Sequence, residues 1–224
     1  MEKDRVRIQI SFILNIIISI LTGVGLFIAF AGIKFSPGVE PVLESSKLGM
    51  FKYFTVDSNL FMGIVALIFA IEEHKLLKDS RKTISRGLYR LKFIATMGVT
   101  VTFAVVFAYL GPYSPGGISS MLMNSNLFFH LFIPVLSIIT FTVVERNNKL
   151  VFKDTLYGLI TPLLYSFYYA TNVLIHIENG AVSPDYDWYW FVQDGLHKMF
   201  IVAPLILIST YVLSLIIWRI NKKK

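Results

Sequence analysis

Four places in this chain set hydroxyl, amide, imidazole or carboxylate side chains at helical spacing inside otherwise apolar sequence. Thr55, Ser58 and Asn59 stand three and four apart in the run Phe51–Ile71, so on a helix they share a face. Asn126 and His130 are four apart in a second run, and Pro134 follows by four more. Asn172 and His176 are four apart in a third, after Tyr165, Tyr168 and Tyr169. Asp194 and His197 stand just ahead of a fourth.

Three chemistries fit these residue types. The first is nucleophilic catalysis. A threonine hydroxyl attacks a carbonyl only when a base removes its proton, and histidine is the usual base. Asn59, Asn126 or Ser58 could donate to an oxyanion, and Asp57 or Asp194 could orient the imidazole. The second is a metal site, since His130, His176 and His197 with Asp57 or Asp194 are suitable ligand types. No H-x-x-x-H or H-E-x-x-H pair supports it. The third is transport, because Pro134 and Pro162 interrupt apolar runs and broken helices can line a substrate path. Plainer readings stand beside each. A membrane threonine commonly bonds its own backbone four residues back. A histidine near a helix end is often interfacial, and the three tyrosines suit packing.

The elements that position these residues follow from hydropathy. The chain has 224 residues, 55% hydrophobic and 16% charged, against about 25% charged in soluble domains. A spanning helix needs about 20 mostly apolar residues. Six segments qualify: 8–30, 51–71, 93–110, 126–144, 155–176 and 199–218. The expected fold is therefore all-α, one polytopic domain of six transmembrane helices. The run of uncharged residues from Ile8 to Ile33 is too long for a signal-peptide core and reads as a retained span. Gly111-Pro112 through Gly117 divides the long uncharged stretch between Lys92 and Glu145.

Lysine and arginine set the orientation. Seventeen of them fall at one set of helix ends and four at the other, which predicts cytoplasmic termini. The net charge of +7 is then a topology signal, and no nucleic-acid partner is expected. Lys75, Lys92, Glu145 and Arg146 read as loop charges in this scheme. The segment 177–198 is acidic and aromatic, and Trp and Tyr favour the headgroup level, so it reads as a lid on the membrane surface. With no cysteine there is no disulfide or thiolate chemistry, and no cofactor is expected. Thr55 and His130 each stand about one turn inside their helix from the same side, so they should share a depth. Ser58-Asn59-Leu60-Phe61 recurs as Ser125-Asn126-Leu127-Phe128, a pattern that helix capping would explain.

These motifs resemble a known family. Lys52-Tyr53-Phe54-Thr55, and Asn126-x-x-x-His130 leading into a proline, are similar to the androgen-induced-gene/FAR-17a family. Its animal members are multi-span threonine hydrolases of fatty acid esters of hydroxy fatty acids. The nearer likeness is to bacterial six-span relatives of the Pr-six-Pr type. Those carry Tyr-x-Thr-x-x-Ser-Asn-Leu, His-x-x-x-Pro and Pro-Leu-Leu-Tyr, which here read Tyr53 to Leu60, His130 to Pro134 and Pro162 to Tyr165. The proline stands one residue nearer the histidine than in the animal enzymes. Their histidine-rich loop after the fourth helix is reduced here to Glu145-Arg146-Asn147-Asn148-Lys149.

The resemblance implies that Thr55 is a nucleophile and His130 its base, acting on an amphiphilic lipid ester near the outer leaflet of a bacterial plasma membrane. Ser58, Asn59, Asn126, Asn172, Asp57, Asp194 and His197 are candidate supports. Phe61, Phe128, Phe129 and the tyrosines at 165, 168 and 169 are candidate walls for the acyl chain. A lipid-binding or transport protein is the alternative, and a metal-dependent hydrolase a second one.

Overall fold

A computed structural model of the chain describes residues 2–35, 43, 45–79, 83–114, 116–192 and 195–222. Asp194 lies outside them. The described residues are mostly helical. Five helices are long and apolar enough to cross a membrane: α1 (Asp4–Ala31), α2 (Phe54–Lys78), α3 (Arg86–Tyr113), α4 (Ser125–Val144) and a last one over Leu196–Asn221. Between the fourth and the last lies α5 (Ile160–Ile175), which at 16 residues is shorter than the five. It continues directly from a 3₁₀ segment, Phe152–Leu159. The last helix, α6, is α-helical over Met199–Asn221. The fifth expected span is thus divided, with tight 3₁₀ turns before Ile160 and α-helix after it. Pro162 then falls in the first α turn, where its missing N–H is no loss.

The α3 helix begins nearly two turns before the expected start at Phe93. Ser85 caps it, its Oγ accepting from the Leu88 N–H at 3.1 Å. It also runs past the expected break at Gly111-Pro112, ending at Tyr113. A π turn over Val106–Leu110, closed by the Gly111 N–H on the Val106 carbonyl, absorbs Pro112. A five-residue bond widens the turn and moves the carbonyl that the proline ring would strike.

Close approach of α1 to α2 fixes the rest of the frame. Gly63 presents no Cβ to Thr22, and a methyl there would sit 2.6 Å from the Thr22 Cγ2. Ser19 Oγ donates to the Gly63 carbonyl at 3.0 Å across the same crossing. Small residues at a membrane-helix interface allow this backbone contact. The α3 helix lies centrally, with Phe93, Ala95, Thr96, Met97 and Val99 fully buried. The α6 helix is peripheral, with Phe200, Ile201, Leu205 and Ile208 exposed.

Beyond α5, a two-residue hairpin pairs Ile177–Glu178 with Ala181–Val182. Its turn, Asn179-Gly180, has φ of 52° and 80°, the type I′ geometry that Asn-Gly favours. The segment after it does not lie flat on a surface. Trp188, Tyr189 and Val192 are buried in the main core, while Tyr186 and Trp190 stay exposed. Asp187 holds this roof down. Its carboxylate accepts from the N–H groups of Phe191 (2.9 Å) and Val192 (3.1 Å) and from the Tyr169 hydroxyl.

Candidate functional site

Thr55 is the second residue of α2, whose start is set from outside the helix. The Tyr53 side chain does not cap it. The Phe54 N–H instead donates to the Tyr189 hydroxyl at 2.9 Å. Just ahead, the Lys52 carbonyl accepts from the Tyr165 hydroxyl, which in turn accepts from Trp188 Nε1 at 3.1 Å. The Lys52 ammonium does not pair with Asp57; it lies 5.2 Å from the Tyr53 ring centre and 5.4 Å from that of Trp188. Aromatic faces attract cations there. Roof and α5 together therefore clamp the Thr55 end of α2.

His130 stands in a π turn, Phe128–Phe132, within α4. The Ile133 N–H reaches back five residues to the Phe128 carbonyl. Pro134 explains the turn: it has no N–H for the His130 carbonyl, and the wider loop relieves its ring. The imidazole is 1% exposed. Its Nδ1 lies 2.5 Å from the Met121 carbonyl. A carbonyl only accepts, so Nδ1 carries the proton. In the neutral ring Nε2 is then a lone-pair acceptor, and it lies 3.4 Å from Thr55 Oγ1. That separation is at the long edge of hydrogen bonding, as apo sites often are.

The orienting group assigned to Asp57 or Asp194 is therefore the Met121 backbone. No side-chain pattern announces a carbonyl nine residues upstream. The short connection through Asn124, at φ 49°, returns the chain so that Met121 faces the ring. Asp57 stays in the first turn of α2, half-buried.

Asn59 is not available to an oxyanion. Its amide nitrogen donates to the Thr55 carbonyl at 2.7 Å and to the Phe129 carbonyl at 3.0 Å. It thereby ties the Thr55 backbone to the π turn that carries His130. Its Oδ1 is buried without a hydrogen-bond partner. Ser58 turns to α3, its Oγ 3.0 Å from Thr102 Oγ1. Neither residue caps α2, which starts a turn earlier, so capping does not explain the repeated motif there. Asn126 is buried at the start of α4.

The remaining candidates lie apart from this pair. Asn172 donates to the Tyr186 carbonyl at 2.8 Å, and His176 stacks on the Tyr186 ring at 3.5 Å. Both serve the roof. His197 is exposed. Among the described residues no group of three His, Cys, Asp or Glu side chains converges, so His130, His176 and His197 do not form the metal site considered above.

Thr55 opens onto a cavity of 380 Å³, within the roughly 300–1,000 Å³ of small-molecule sites. Its walls are mostly apolar, from α3, α5 and α6, with Tyr165, Tyr169, Tyr189 and Phe191 beneath the roof. Phe61, Phe128, Phe129 and Tyr168 are not among them: Phe128 and Phe129 lie against Gly25 of α1, Phe61 packs on the core, and Tyr168 stays exposed. Phe200 lines the cavity while 78% exposed, so the space opens sideways beside α6. His130 lies behind Thr55, outside the walls.

No protein-family model, curated protein or solved structure matches this chain.

Proposed function

We propose that this chain is an intramembrane hydrolase of fatty acid esters, with Thr55 as nucleophile and His130 as base. The observation that carries the reading is the 3.4 Å approach of Thr55 Oγ1 to His130 Nε2, with the imidazole fixed in that tautomer by the Met121 carbonyl. The resemblance to the androgen-induced-gene family points to the same two residues. On this reading residues 155–176, the end of the 3₁₀ segment together with α5, complete six spans, and the basic ends, with both termini, face the cytoplasm of a bacterial cell.

Nε2 takes the Thr55 proton as Oγ1 bonds to the ester carbonyl carbon. The negative charge gathers on the former carbonyl oxygen. Thr55's own N–H, at a helix start where no intrahelical acceptor exists, is the donor placed for it, and the α2 dipole favours an anion there. Collapse breaks the ester C–O bond, and the alcohol leaves with the proton from Nε2. Water then repeats the sequence on the acyl-threonine, releasing fatty acid and restoring the hydroxyl. Met121 holds Nδ1–H throughout and steadies the imidazolium. A neutral carbonyl does this less well than a carboxylate.

An acyl chain fits the apolar cavity and enters from the lipid beside Phe200. The test is release of free fatty acid from an ester of a hydroxy fatty acid by protein purified in detergent. Release is expected from the wild type and absent from Thr55→Ala. A folded wild type that binds the ester without cleaving it would favour the lipid-binding alternative.

A further inference from the structure

A second polar cluster lies at the opposite, lysine- and arginine-rich end of the bundle. Three ionisable side chains meet there with almost no exposure: Glu73 of α2 (2%), Lys92 of α3 (0%) and Glu145 at the end of α4 (3%). Asn15 of α1 joins them. Its Nδ2 donates to Glu145 Oε1 at 2.8 Å and to Glu73 Oε2 at 3.1 Å, so one nitrogen bridges the two carboxyls. Its Oδ1 accepts from the Lys92 ammonium, which lies 3.6 Å from Glu145 Oε1. Ser11 Oγ also donates to Glu145 Oε1, at 3.1 Å. Glu145 Oε2 is buried with no hydrogen-bond partner. A π turn over Thr140–Val144, closed by the Glu145 N–H on the Thr140 carbonyl at 2.8 Å, sets the residue in place.

Two carboxylates and one ammonium leave one negative charge in excess. An unbalanced buried charge is costly, and the usual escape is to take up a proton. Two carboxylates bridged by one amide nitrogen also repel one another, which favours one proton on the pair. A route exists. A 230 Å³ cavity touches Ser11, Glu73, Tyr89 and Glu145, and Asp4, Arg7, Arg146 and Lys149 stand around it.

These neighbours do not cancel the excess charge inside. Arg7 of α1 spends its guanidinium on the carbonyls of Val144 and Arg146. Lys149 donates to the Ile84 carbonyl and lies over the Tyr89 ring. Arg146 reaches the Lys222 carbonyl beyond α6, and the Lys222 ammonium lies over Trp218. On α2, Lys75 pairs with Glu72 on the solvent side at 2.6 Å, and His74 stacks on Phe12 of α1.

We infer that Glu73 and Glu145 form a proton-binding site, holding one proton jointly and exchanging it with the basic side through this cavity. This inference does not rest on the ester-hydrolase reading. The test is infrared spectroscopy of the purified protein in lipid nanodiscs, following the carboxylic acid carbonyl stretch across neutral pH. The wild type should show a protonated carboxyl there. Glu73→Gln and Glu145→Gln should each remove it. Lys92→Met, which strips the cation, should raise it about twofold. The wild type alone keeps the proposal falsifiable if a variant misfolds. Absence of any protonated carboxyl in the wild type would overturn it. So would a band that survives both amide variants. A band that vanishes when sodium is added at constant pH would overturn it in favour of a monovalent cation site.

Discussion

The two polar clusters are built alike and do different things. Each draws on α2 and on α4, and each has an ionisable group set by a π turn: His130 within Phe128–Phe132, Glu145 just after Thr140–Val144. A π turn pushes one side chain out of helical register, which is why such turns recur at functional sites. The difference lies in charge and outlook. The Thr55–His130 pair is uncharged, and its hydroxyl faces an apolar cavity open beside α6. The cluster at the basic end concentrates buried charge around Asn15 and faces a polar cavity. Chemistry on a lipid suits the first. Holding four helices together around a titratable charge suits the second.

Substitutions should separate these roles. Thr55→Ala should lower ester hydrolysis by at least about 10³-fold, as removal of a nucleophile does, with little change in thermal unfolding. His130→Gln should lose about as much, and the double variant little more, because members of one catalytic unit are not additive. Lys92→Met should do the opposite. Removing one partner of a buried ion pair costs about 3–5 kcal/mol, so unfolding in detergent should come at a clearly lower temperature.

Asn59→Leu sharpens the contrast further, because Asn59 belongs to the Thr55–His130 site but acts on backbone. It takes the side-chain donor from the Phe129 carbonyl and one of two from the Thr55 carbonyl, which keeps the Ser58 hydroxyl at 3.2 Å, at about 1–3 kcal/mol for a buried group left unsatisfied. Hydrolysis should fall by more than stability alone explains, as Thr55 drifts from His130. Tyr189→Phe should have a milder effect, since the hydroxyl that accepts from the Phe54 N–H is lost while the buried ring stays.

The smallest effect is expected at Asp154, outside the spans. Burial raises its carboxyl's affinity for a proton. The Val151 N–H and the Arg86 and Arg90 guanidinium groups outweigh this and hold it below the usual carboxylate range. The unfolded chain then binds more protons than the folded one in that window, so stability rises with pH through it. This contribution is complete above the ordinary carboxylate value of about 3.9 and lost as pH falls through the depressed one. Asp154→Asn should lower stability most in the neutral region, where the contribution is complete, and least in acid, so the acid limb of the stability curve flattens.

Much of this was legible in the residues. Apolar runs mark the helices, and counting turns inward from one face places Thr55 and His130 at one level. The supports were not, because they are backbone. The Met121 carbonyl that fixes the imidazole and the Phe54 N–H that fixes α2 carry no side-chain signature. Asn59 fits an oxyanion donor by type, and only its two carbonyl partners show that it is already used. The charged cluster was hidden by the way charges mark helix ends. Lys92 and Glu145 bound an uncharged stretch, and Glu73 follows Ile71, so all three read as loop charges. Ser85 starts α3 nearly two turns before Lys92, and that extension carries the ammonium inside.

The central claim is that Thr55 is a nucleophile. Treating purified wild-type protein with an alkyl fluorophosphonate and mapping the adduct by peptide mass spectrometry tests it most directly. The account predicts a single phosphonylated residue, Thr55, with no adduct in Thr55→Ala and almost none in His130→Gln. An adduct of equal yield in folded Thr55→Ala would contradict it.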